Sequence, residues 1–254
     1  MKTLPSLPLV RSNHLISNGD DLIPSSNYFS CAGQRHIHAR RPNEDRGAII
    51  NENGLCVAVI CDGAGSSSAG SDAAELVSRF LAAALSRRFD ELYFCDGITA
   101  RMTVSRLVTQ CLKDHSLATG TPEQALACTI LAAAMDAEGR CICFHLGDGI
   151  ILQQDVDDPS LTVVSPPMNG LVPGSTYLTM NCDMVQFLRY YRWQSPRSRQ
   201  LLLLSDGAAE HLVSRRSGAG WCFIPRIPAR LDTLRAWLDS RRPEDDYTAA
   251  QLIQ

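Results

Sequence analysis

Residues 55–61 read LCVAVIC, apolar at every position. A strand that alternates polar and apolar residues needs cover on one face; an unbroken apolar run needs it on both. This strand must therefore lie inside, between two other layers. Residues 47–51 precede it across the turn Asn51-Glu52-Asn53-Gly54, so the two segments read as a hairpin. Residues 200–204 form a second short apolar run of the same central character.

The rest of the chain supplies the covering layers. Beyond residue 70, Ala74, Val77, Phe80, Leu81, Ala84 and Leu85 recur at helical spacing, with Ser71 placed to cap the helix. A second helix is expected over 98–115, with Met102, Leu107, Val108, Cys111 and Leu112 on its inner side. Strands are expected over 28–33 before these helices, and over 127–135, 140–146, 150–154 and 161–164 after them. Further strands are read at 177–180, 184–190 and 247–253, with a helix over 231–240. Strands, then two helices, then many strands, is not the alternation of a parallel doubly wound sheet. The order predicts an α+β domain of antiparallel sheets with helices outside. Residues 1–26 carry three prolines and no period, which reads as an irregular arm. Residues 27–254 then form a single domain.

Composition excludes several roles. The formal net charge of −3 predicts no general attraction to nucleic acid or to acidic membranes. The N-terminal stretch does not read as a secretory signal, and no apolar run approaches a membrane span. Of ten cysteines, Cys56, Cys61, Cys128, Cys141 and Cys143 lie in apolar, strand-like runs. They read as buried reduced thiols, which points to a cytoplasmic location. Cys141 and Cys143 would share one face of a strand, as core rather than metal ligands.

Four acidic clusters stand at or just beyond strand ends: Asn43-Glu44-Asp45, Asp62-Gly63, Gly147-Asp148-Gly149 and Ser205-Asp206-Gly207. A fifth, Asp245-Asp246, precedes the last strand. Each Asp-Gly alone is a common turn dipeptide. Repeated after apolar runs of one kind, they would converge at one edge of packed sheets. That concentration of negative charge calls for a cation. The ligands on offer are all oxygen, which favours Mg²⁺ or Mn²⁺ over zinc. Several carboxylates suit two ions sharing a bridging ligand, an arrangement used in phosphoester hydrolysis.

These residues carry a family resemblance. Arg40-Arg41-Pro42-Asn43-Glu44-Asp45 resembles the R-x-x-N-E-D motif of the metal-dependent PPM/PP2C protein phosphatases. ICDGAGSSSAG (60–70), Thr129 before ILAAAMD, LGDG (146–149), LLLLSDG (201–207) and Asp245-Asp246-Tyr247-Thr248 resemble their later motifs, in the right order. The resemblance covers about residues 28–253 and implies two stacked antiparallel sheets with helices outside and metals in a cleft at one end. It implies that Asp62 bridges two ions, with the Gly63 carbonyl on the first. Asp206 and Asp245 would hold the second, completed by Glu44 or Asp45 directly or through water. Asp148 with Asp206 would form a looser third site, and Arg40 would hold the substrate phosphate. Catalysis would then rest on Arg40, Asp62 and Asp206, with Mg²⁺ or Mn²⁺ activating a water and no phosphoenzyme forming. The substrates would be phosphoserine and phosphothreonine proteins, set against a serine/threonine kinase, with the enzyme a monomer. Two other readings share these residues: a pseudo-phosphatase used for binding, and a hydrolase of small phosphorylated metabolites.

The sequence departs from the family at two motifs. Many eukaryotic members have D-G-H where this chain has Asp62-Gly63-Ala64, and G-D-S-R is Gly147-Asp148-Gly149-Ile150 here. Its short length resembles the compact bacterial branch and leaves little chain for a flap. The stretch 174–179 is similar to that branch but is given no role. His36 and His38 read as exposed polar residues on a loop, and His145 as a hydrogen-bonded core histidine. Arg189, Arg192, Arg197 and Arg199 are candidates for one shared surface.

Overall fold

The computed structural model describes residues 24–155, 160–169, 176–180, 183–194, 198–216, 220–223 and 230–253. Most of the proposed arm, Gly174 and Ser175 of the 174–179 stretch, and Arg197 lie outside them. In chain order the elements are β1 (Ser25–Cys31), α1 (Gln34–Ala39), β2 (Asp45–Glu52), β3 (Leu55–Asp62), α2 (Gly70–Phe94) and α3 (Gly97–Thr119). Then come β4 (Ile130–Asp136), β5 (Arg140–Leu146), β6 (Ile150–Asp155), β7 (Leu161–Ser165), α4 (Met184–Phe187) and β8 (Arg189–Gln194). The chain closes with β9 (Ser198–Leu204), α5 (Asp206–Ala209), β10 (Val213–Arg216), β11 (Gly220–Phe223), α6 (Leu231–Arg241) and β12 (Tyr247–Ile253).

Two five-stranded sheets, ordered β1-β12-β9-β6-β7 and β2-β3-β4-β5-β8, are antiparallel at every pairing. The apolar run of β3 is explained by its alternation. Cys56, Ala58 and Ile60 point into the layer between the sheets, against Leu201, Leu203, Ala250 and Leu252 of the other sheet. Val57, Val59 and Cys61 point the other way, onto Val77, Leu81 and Leu85 of α2 and Val108 of α3. In the second sheet Leu202 and Leu204 turn outward onto Leu231, Leu234 and Leu238 of α6. The layers therefore run helix, sheet, sheet, helix. Cys141 and Cys143 both join the inter-sheet core, and all five cysteines of the strand-like runs are buried free thiols. The β2–β3 turn places Asn53 at φ 52° and Gly54 at φ 73°, the two positive angles that a type I′ hairpin needs.

Several elements differ from the sequence reading. Ser71 does not cap α2: Ala69 stands at the N-cap, and the Ser71 hydroxyl accepts a hydrogen bond from Arg46 at 2.7 Å. Residues 177–180 form no strand; Tyr177 stacks on Phe187 at 3.8 Å between ring centroids, so side-chain packing replaces strand pairing. Residues 184–187 are one helical turn, and β8 begins only at Arg189. Helix α1 and the β10–β11 hairpin, too short for a periodic signal, were not expected. Among the described residues, no helix is long and apolar enough to cross a membrane.

Candidate metal centre

Strands β3, β5 and β9 all run toward one end of the sandwich, while β2, β4 and β12 set out from it. The motif residues fix the turns there. Asn43 accepts the Asp45 amide on its side-chain oxygen at 2.8 Å and donates to the Ser30 hydroxyl at 2.7 Å. Asp45 thus opens β2 directly opposite Asp62, the last residue of β3. Thr129 clamps Asp62 from the other side: its hydroxyl accepts the Asp62 amide at 2.9 Å, and its amide donates to the Asp62 carbonyl at 2.8 Å. Ser205 and Thr248 join the ends of β9 and β12 in the same way, the Thr248 amide donating to the Ser205 hydroxyl at 2.9 Å. A methyl group at Gly207 would lie 2.2 Å from the Asp246 carbonyl oxygen, so only glycine lets these two loops approach.

Asp62, Asp148 and Asp206 each bring one carboxylate oxygen within 4.8 Å of the others. Asp45 is only 1% exposed, and its Oδ2 makes no hydrogen bond. Burial holds the Asp62 carboxyl well above the usual carboxylate range, with the charges of Asp45, Asp206, Asp148 and Asp245 adding to it. Burial, then Asp148 and Asp45, pushes Asp206 up to about 8. Burial pushes Asp45 up to about 7 despite relief from the Thr248 and Ser205 hydroxyls. Asp148 is raised chiefly by burial as well. Among the described residues none of these four carboxylates has a lysine or arginine partner. The donors are oxygens only, several are desolvated, and one has no partner. That set fits a hard divalent cation.

The remaining sequence candidates sit around this group. Asp245 lies at the rim, its side chain 42% exposed and 3.4 Å from Arg35. It is outside the tight trio, where Asp148 stands instead. The Glu44 carboxylate turns to Arg41 at 2.7 Å, and its main-chain carbonyl accepts the Gly63 amide at 3.2 Å. Arg40 is exposed at the left-handed C-cap of α1, φ 54°, without an ion pair among the described residues. His145 is a fully buried core histidine, 2.7 Å from the Ser165 hydroxyl. Burial and the neighbouring Arg189 depress its pKa well below the usual value.

His36 is where the sequence reading fails. It is buried rather than exposed on a loop, and its Nδ1 lies 2.6 Å from Asp246 Oδ2. No local pattern marked it, because its partner stands 210 residues away. His38, on the same helix, is exposed as expected.

The profile of the protein phosphatase 2C family matches residues 32–245. No curated protein sequence gave a significant match. Among solved structures, serine/threonine phosphatase Stp1 from Staphylococcus aureus is 16% identical with a TM-score of 0.62, covering 90% of this chain and 94% of that one. The serine/threonine phosphatase of S. agalactiae is 17% identical with a TM-score of 0.62, over 91% and 99% of the two chains. PppA, a regulatory component of T6SS in Pseudomonas aeruginosa, is 18% identical with a TM-score of 0.59, over 91% and 98%. At such identities these structures speak for the fold, and the profile match speaks for the family. This chain belongs to the protein phosphatase 2C family.

Proposed function

We propose that this protein hydrolyses phosphoserine and phosphothreonine in proteins, using two divalent ions and room for a third. The observation that carries this reading is the half-buried trio Asp62, Asp148 and Asp206 beside the buried Asp45, whose Oδ2 has no partner among the described residues. Asp62, with the Gly63 carbonyl beside it, would be the ligand shared by the first two ions. Asp206 and Asp245 would serve the second, and Asp148 with Asp206 the third. Asp45, closer to Asp62 in register than Glu44 is, completes the set.

Mg²⁺ or Mn²⁺ bound there supplies Lewis acidity and a water nucleophile at neutral pH. The chain's own residues do the rest. Asp62 is held through its amide and its carbonyl by Thr129, which fixes the backbone from which its carboxylate projects. Arg40, exposed and without an acidic partner among the described residues, is placed to take the substrate phosphate, for which a guanidinium fork is suited. Ala64 brings no titratable group to the position where other members carry histidine.

The reading places the protein in the cytoplasm as a monomer, opposing a serine/threonine kinase. Hydrolysis of a phosphothreonine peptide, with and without Mn²⁺ after chelation, tests it. Metal-dependent turnover of the peptide over small sugar phosphates is the expected result. Metal binding without turnover of either would leave a binding module, and preference for the sugar phosphates would make it a metabolite hydrolase.

A further inference from the structure

Away from the acidic cluster, α3 lines a groove of about 670 Å³ with Thr179, Met180, Met184 and Val185. Small-molecule sites fall in the range of about 300–1,000 Å³. Helical spacing divides the α3 wall into two neighbouring stripes. Ser105, Thr109 and Leu112 form one, and Arg106, Gln110 and Lys113 the other. The facing residues Thr179 and Val185 are pinned in place. The Thr179 amide donates to the Cys128 carbonyl at 3.0 Å, the Cys128 amide to the Thr179 hydroxyl at 3.2 Å, and Arg101 to the Val185 carbonyl at 3.4 Å. The groove is thus preformed.

Two features say what it takes. Ser105 is 4% exposed, and its buried hydroxyl has no hydrogen-bond partner among the described residues. Buried polar groups are nearly always paired in native proteins, so this one is poised for a ligand atom. Along the rim, Arg106 and Lys113 are exposed, and neither makes an ion pair among the described residues. Glu123 is the one acid among the described lining residues. Between these polar groups Leu112, Met180, Met184 and Val185 present apolar surface. Excess positive charge at the rim and an apolar floor match a molecule with an anionic head and an apolar body.

We propose that this groove binds a small apolar anion, such as an acyl or aryl carboxylate, sulfonate or phosphate, with its head group at the Arg106–Lys113 rim. The site is separate from the carboxylate cluster, and its occupant need not be a substrate.

Anilinonaphthalene sulfonate, a fluorescent aryl anion, is the probe, titrated into the full-length protein with decanoate as competitor. Saturable fluorescence that decanoate displaces is expected. The double variant R106E/K113E should weaken binding about tenfold or more, through loss of charge-assisted contacts. Thr109→Trp, at an exposed position on the groove wall, should abolish binding by filling the space. Reversal of Arg87, an exposed arginine on α2 outside the groove, should change nothing. Unchanged circular dichroism would establish that each variant is folded. Absence of saturable binding, or equal affinity in wild type, R106E/K113E and T109W, would overturn the proposal.

Discussion

His36 Nδ1 and Asp246 Oδ2 lie 2.6 Å apart, and that same carboxylate oxygen accepts the Glu44 amide at 2.6 Å. The other oxygen of Asp246 accepts the Gly33 amide at 2.8 Å. Asp246 is therefore occupied by protein on both sides, while Asp245 beside it stands at the rim, close enough for its charge to raise Asp62 and Asp206. The pair divides its labour: Asp245 is the candidate ligand, and Asp246 with His36 ties α1 and the Glu44–Asp45 loop to the start of β12.

His36→Ala should disturb the metal centre without touching it. Residues that hold metal ligands through a hydrogen bond typically change metal affinity by about 10–100-fold when removed. Asp246 keeps the Glu44 and Gly33 amides, so the lost hydrogen bond to a charged group should cost about 1.5–3 kcal/mol of stability. Mn²⁺ titration by calorimetry and a thermal scan of the metal-free protein measure the two effects. Wild-type Mn²⁺ affinity in the variant would show that Asp246 holds the loop unaided.

Much of this fold is legible in the sequence. Continuous apolar runs such as 55–61 and 200–204 can be satisfied only in inner strands, and the strand-end aspartates follow from them. What stayed hidden depends on tertiary partners. Nothing local distinguishes His36 from His38; a carboxylate 210 residues away buries the one and not the other. Residues 184–187 read as strand by composition, yet the Leu188 amide turns back to the Met184 carbonyl at 2.8 Å. At the site, the sequence named every carboxylate of the tight trio, but not that Asp148 would stand in it and Asp245 at its rim.

The metal-free protein should become more stable as pH falls. Asp45 and Asp206 ionise at about 7 and about 8 when folded, against 3.8 for an ordinary aspartate. Between those values the folded chain holds protons that the unfolded chain has released. Their contribution is therefore complete below the unfolded value and is lost as pH rises through the folded ones. Thermal midpoints in chelator should climb from about pH 8.5 to about pH 6. With saturating Mn²⁺ the trend should reverse, because protons then compete with the ion for the same oxygens. A chelated protein whose midpoint falls steadily over that interval would contradict the burial of these carboxyls.

Arg40→Ala should raise KM for a phosphopeptide far more than it lowers kcat. Exposed and outside the carboxylate trio, Arg40 can contribute binding that is equal in ground and transition states. The expected rise is about tenfold, with Mn²⁺ affinity unchanged. An unaltered KM would transfer the role to Arg41, whose guanidinium is already engaged with Glu44 at 2.7 Å.

Asp206→Asn separates the charge of this residue from its place in the fold. Asp206 Oδ1 accepts the Gly207 amide at 2.7 Å at the first turn of α5, and an asparagine oxygen can accept the same bond. The turn should survive. The missing negative charge relieves Asp62, whose carboxyl is raised by burial and then in part by Asp206. In chelator, the variant should therefore match or exceed the wild-type thermal midpoint at about pH 9, above the Asp206 value, where most of that residue is ionised and repels its neighbours. A hard dication has much less attraction for an amide oxygen than for a carboxylate, so occupancy at limiting Mn²⁺ should fall. Turnover of phosphothreonine peptide should drop by about two orders of magnitude or more. The two measurements are expected to move in opposite directions, which a simple folding defect cannot produce. Near-normal turnover at limiting Mn²⁺ would remove Asp206 from the metal centre, and a lower midpoint in chelator would show that its charge stabilises the metal-free fold.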